Sequence, residues 1–107
     1  MDRETQLWEK VKDFPDDPFW PHALGVQLMG QKRWEEAESA FQEALRRDSQ
    51  HLATYYQLGL LYEQTGREAE AIRIFREGMH LAEDLRDLHL LKEFRSKLAL
   101  YLGLDEA

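Results

Sequence analysis

Leu24, Gly25, Ala37 and Phe41 return 34 residues later as Leu58, Gly59, Ala71 and Phe75. Leu28 returns as Tyr62, Ala44 as Gly78 and Leu45 as Met79. Self-similarity at this period, with apolar residues three and four apart inside each copy, means stacked helical hairpins. One hairpin cannot bury its apolar side alone, so each must lie against a neighbour or a cap. No alternating run and no Asn-Gly or Asp-Gly turn offers a strand alternative.

The remaining stretches fit this frame. Leu7, Val11 and Phe14 space a helix over about 2–13, which Pro15 ends because proline cannot continue the hydrogen-bond ladder. Stepping back one period from Phe41 lands on Leu7, so this helix occupies the second-helix place of a preceding half-repeat. Asp17-Pro18 is an N-cap followed by proline at the first helical position, opening a helix over about 18–31. Helices over about 34–47, 52–65 and 68–83 follow, with Gly66 at a left-handed turn and Thr65 to Glu68 at capping-box spacing. Lys32 stands where the second copy has Gly66, which predicts a looser first turn. A last amphipathic helix over about 87–102 carries Leu88, Leu91, Leu98 and Tyr101 and closes at Gly103.

These residues resemble the tetratricopeptide repeat (TPR) family. The second copy matches its pattern with Tyr55, Leu58, Gly59, Tyr62, Gly66, Ala71 and Phe75; the first supplies Leu24, Gly25, Leu28, Trp34, Ala37, Phe41 and Ala44. The terminal proline of each repeat is replaced by Ser49 and Glu83. The resemblance implies an all-α fold, a short right-handed solenoid of two TPR hairpins with an additional helix at each end. It implies one domain over 1–107: a cap at 2–13, repeats at 18–49 and 52–84, and a second cap at 87–102. It also implies a non-catalytic module that binds a protein or peptide.

In this family the first helix of each hairpin lines a concave groove. Carried over position by position, the groove is Phe19, His22, Val26 and Met29, then Tyr56, Gln57, Leu60 and Glu63, continued by Leu90, Phe94 and Lys97. The Lys and Asn that grip a terminal carboxylate in some members are absent, since His22 and Val26 hold those places. Such a groove is apolar with polar edges and suits an amphipathic helix or apolar peptide. The competing reading covers it with the chain's own last helix, or buries it in a homodimer.

Composition narrows the partner. Fourteen Lys and Arg against 21 Asp and Glu leave a formal charge of -7, which repels phosphate backbones. There are no cysteines, hence no disulfides, thiolate metal sites or thiol nucleophiles. No apolar run is long enough for a membrane span and no signal peptide is visible, so a soluble cytoplasmic protein is expected. His22, His51, His80 and His89 lack the i, i+4 spacing of a helical zinc pair, so no metal is expected. Ser39, Ser49 and Ser96 are in no nucleophile elbow and no glycine loop cradles phosphate, so neither catalysis nor a cofactor is expected. Trp8, Trp20 and Trp34 are candidates for the core.

Overall fold

The computed structural model describes residues 2–103 and draws them as six helices with no strand. The span of 1–107 expected for the domain also takes in Met1 and residues 104–107, which lie outside the described residues. In order the helices are α1 (Arg3–Asp13), α2 (Phe19–Gly30), α3 (Trp34–Arg47), α4 (Leu52–Gln64), α5 (Glu68–Leu85) and α6 (Leu88–Leu102). The chain divides into two units, Met1–Thr54 and Tyr55–Ala107.

Local chemistry sets the ends of these helices. Asp2 caps α1 by accepting the Thr5 N–H at 2.7 Å, and Asp87 caps α6 by accepting the Leu90 N–H at 3.0 Å. Asp17 accepts the Phe19 N–H at 2.9 Å while Pro18 already has helical torsions, so the Asp-Pro pair starts α2 as its sequence predicts. Thr65 does not cap α5. Its hydroxyl donates back to the Leu61 and Tyr62 carbonyls, because it directly follows α4 and its own N–H still bonds Leu61 O. The residue before α5 is Arg67, whose guanidinium pairs with Glu70; Arg33 holds Glu36 in the same way before α3.

The first hairpin turn is as tight as the second. Lys32 adopts a left-handed φ of 61°, and Arg33 N–H reaches Leu28 O at 3.0 Å. In the second turn Gly66 has φ 73°, and Arg67 N–H reaches Tyr62 O at 2.8 Å. Lysine therefore takes up a conformation that glycine adopts freely, and the hydrogen bonding of the turn is kept. Arg86, at φ 57°, closes α5 by the same device, with Asp87 N–H on Ala82 O at 2.9 Å.

Within each hairpin a phenylalanine ring lies over a glycine. A Cβ on Gly25 would stand 2.5 Å from Phe41 Cε1, and Gly59 is packed still more closely onto Phe75. The rings thus fill the space over their own hairpin's glycine, and Phe41 and Phe75 are fully buried. A third pair falls at other positions of the repeat: Gly78 of α5, the echo of Ala44, takes the ring of Phe94 from α6, the echo of Val26 and Leu60, and that ring would stand 2.5 Å from any Cβ added there. Around these pairs close Leu24, Leu28, Ala37 and Ala44 in the first unit, and Leu58, Leu61, Ala71 and Leu98 in the second. On α6, Lys92 and Glu93 occupy the places where the period would put a third Leu-Gly pair; Lys92 is exposed and Glu93 half-buried.

Candidate functional site

α2 carries no Asp, Glu, Lys or Arg, and its one ionisable side chain is His22. Phe19, His22, Val26 and Met29 recur along it at intervals of three and four, which places them on one face. Phe19 and Val26 are open to solvent, 50% and 40% exposed, while His22 and Met29 are half-buried. Beside Phe19, the Trp20 ring meets it edge-on at 4.8 Å and stacks on Phe14 at 6.1 Å, with Lys10 over Phe14 and Trp20. Trp20 is half-buried in this cluster, but Trp8, 48% exposed, is not a core residue. It walls an apolar hollow of about 300 Å³ with Val11, Pro21, Leu24 and Ala40.

His22 is fixed by a network that its sequence neighbours do not reveal. Its Nδ1 lies 2.8 Å from Thr54 Oγ1, and His51 Nδ1 lies 2.7 Å from the same oxygen. Thr54 is fully buried, and the two imidazole rings meet at 5.1 Å. Burial first, and the neighbouring His51 second, push the His22 pKa down to about 4, so this ring is neutral at physiological pH. It does not titrate near neutrality, as a free histidine would.

The expected groove residues of the second unit are more covered. Tyr56 is half-buried, its ring 6.0 Å from Phe75 and 5.8 Å from Phe94. Phe94 is fully buried over Gly78, so it belongs to the core and not to an open groove. Glu63 is held by Lys97 at 3.0 Å and by the Tyr101 hydroxyl at 2.6 Å. Burial and then Glu63 hold that hydroxyl well above the usual phenol range. Gln57, Leu60 and Leu90 remain half-buried. In this unit the last helix uses part of the expected face for itself.

Arg47 is the residue whose weight spacing alone understates. Its side chain is 7% exposed and pairs with Glu43 at 2.7 Å. The guanidinium also donates to the carbonyls of Val11, Phe14 and Asp17 at 3.1, 2.9 and 3.1 Å, tying the end of α1 and the α1–α2 connection to α3. The i,i+4 spacing signals the Glu43 pair; the carbonyl contacts, 30 to 36 residues away, leave no pattern. Hydrogen bonds from Arg46 and then Arg47 hold the Glu43 carboxyl down at about 2. Among the described residues no three His, Cys, Asp or Glu side chains converge as metal ligands, and no helix is long and apolar enough to cross a membrane.

Paired helices with glycine against phenylalanine, repeated at one period, define a helical-repeat protein. The family model for the tetratricopeptide repeat matches residues 20–84, and the chain belongs to that family. It is similar to a tetratricopeptide repeat domain protein from Salinibacter ruber solved by NMR, at 30% identity and a TM-score of 0.76, covering 84% of this chain and 91% of that one. A crystal structure of a tetratricopeptide repeat domain protein from the same organism aligns at 30% identity and a TM-score of 0.73, covering 82% and 98%. Both fit a helical, solenoid-like repeat. No curated protein matches the chain. The family is a general protein-interaction module, generally non-catalytic, whose members typically bind protein partners.

Proposed function

We propose that this chain is a non-catalytic protein–protein interaction module of the cytoplasm, and that the open face of α2 receives an amphipathic helix or an apolar peptide. The supporting observation is that face itself: Phe19 and Val26 are exposed beside a neutral His22 on a helix without charge. Apolar side chains of a partner helix at i, i+3/i+4 and i+7 match this spacing. In the second unit Tyr56, Gln57, Leu60 and Leu90 offer a smaller face of the same kind, bounded by the Glu63–Lys97 pair. We assign the hairpins of 18–49 and 52–84 as the repeats and the helices of 2–13 and 87–102 as their caps within one domain. The charge of -7 argues against nucleic acid as the partner.

The test is a titration of the ¹⁵N-labelled chain with a capped, leucine-faced amphipathic helical peptide. Binding moves the amides of Phe19, Val26 and Met29 and changes Trp20 fluorescence, and Val26→Glu weakens it at least about tenfold by placing a charge in the contact. Unmoved amides on α2 at saturating peptide would sink the reading. The competing reading is a homodimer that buries the same face; sedimentation velocity then gives a dimer that Val26→Glu dissociates.

A further inference from the structure

The hollow of about 300 Å³ in the first unit is walled by Trp8 and Val11 of α1, Pro21 and Leu24 of α2, and Ala40 of α3. Its origin is a single small residue. Ala40 is buried, and so is its counterpart one period on, Ile74. Where the second copy carries a branched side chain the first has one methyl group, which leaves room unless the surroundings close in.

The surroundings are held apart, because α1 and α3 are braced at both ends. At their starts Arg33 bridges Glu4 and Glu36, at 2.5 and 2.6 Å. At their ends Arg47 donates to the Val11 and Phe14 carbonyls at 3.1 and 2.9 Å. Trp8 stands along the seam between these braces. Its indole N–H donates to Glu4 at 3.3 Å, so the ring is oriented by its edge and, being 48% exposed, keeps a face for stacking.

The polar groups around the hollow decide the charge of what enters it. Glu36 and Glu43 border it, and each is already paired: Glu36 with Arg33, Glu43 with Arg46 and Arg47. Among the described residues no buried side-chain nitrogen or oxygen awaits a partner, and Ser39 at the exposed border adds one hydroxyl. A charged ligand would give up hydration here and find no unpaired counter-ion. A polypeptide inserting one side chain would lay its peptide groups on a border whose charged groups are engaged with one another. A neutral flat ring meets neither cost, and apolar cavities take such molecules in preference to water.

We propose that this hollow is a binding site for a small neutral aromatic molecule, the size of indole, which stacks on Trp8 and rests on Ala40. Pro21 and Leu24 lie on the side of α2 opposite Phe19 and Val26, so the site is separate from the α2 face and does not depend on what binds there.

Methyl ¹H–¹³C NMR of the full chain, titrated with indole, tests the site. The Val11, Leu24 and Ala40 methyls shift by ring current and saturate with a Kd of roughly 0.1–1 mM, while those of Val26 and Met29 stay in place. Ala40→Ile, which installs the second copy's residue, fills the hollow and weakens binding at least about tenfold with far-ultraviolet dichroism unchanged. Ser39→Arg, which installs the second copy's exposed Arg73 at the border, leaves the core untouched and weakens binding severalfold. Either variant, if folded and still binding as the wild type does, overturns the proposal. So does a shift that never saturates, or one that saturates at Val26 and Met29 instead. Tryptamine and indole-3-propionate, cation and anion, bind more weakly than indole; tighter binding by either overturns the neutral ligand. A blocked glycine pentapeptide with a central tryptophan also binds more weakly, and tighter binding by it overturns the small molecule in favour of a partner's side chain.

Discussion

Lys32 holds a left-handed φ of 61° where the corresponding Gly66 holds 73°. A side chain in that region costs about 1 kcal/mol or more relative to glycine. Lys32→Gly should therefore stabilise the chain by about 1 kcal/mol, seen as a rise of a few degrees in the melting temperature. The reverse holds at Gly59, where any Cβ enters the Phe75 ring. Gly59→Ala should cost about 1–3 kcal/mol by overpacking, measured by urea denaturation, while Gly30→Ala, with nothing near a new methyl carbon, should cost far less.

Among the elements, the attachment of α1 depends on one side chain. Arg47 fills its guanidinium with Glu43 and three backbone carbonyls, and removing a nearly buried cation from such a set costs about 3 kcal/mol. Arg47→Ala should speed amide exchange over Val11–Phe14 well before the hairpins exchange. The helices themselves were legible from the sequence, because Pro15, Asp17-Pro18, Gly66 and Gly103 mark their ends and the period marks their faces. What escaped was long-range: Arg47 on distant carbonyls, Thr54 between two histidines, and Phe94 seated in the core over Gly78. Which residues share a face of α2 or of α4 could be read from spacing; how much of the α4 face α6 covers could not. Whether α6 lies over Glu63 depends on packing that the 34-residue echo does not encode.

Over the whole molecule, stability should fall with acid in two stages. The His22 pKa in the folded chain, about 4, lies below its ordinary 6.5, so the unfolded state binds the extra proton. Its contribution is full above about pH 6.5 and is lost as pH drops to about 4, roughly 1–3 kcal/mol in all. Glu43, held at about 2, adds a second loss below about pH 4.5, which Glu43→Gln should flatten. Denaturant midpoints measured from pH 8 to pH 3 should show both, and a profile flat between pH 6.5 and 4 would contradict the first. The outer side of α6 bears on assembly. Where the period would write Leu-Gly, Lys92 and Glu93 present an ammonium and a carboxylate, and no ring can settle over a backbone guarded in this way. Lys92→Leu with Glu93→Gly would turn that strip of α6 into a vacant berth, and chains bearing both changes should self-associate, read as a rise in sedimentation coefficient with concentration.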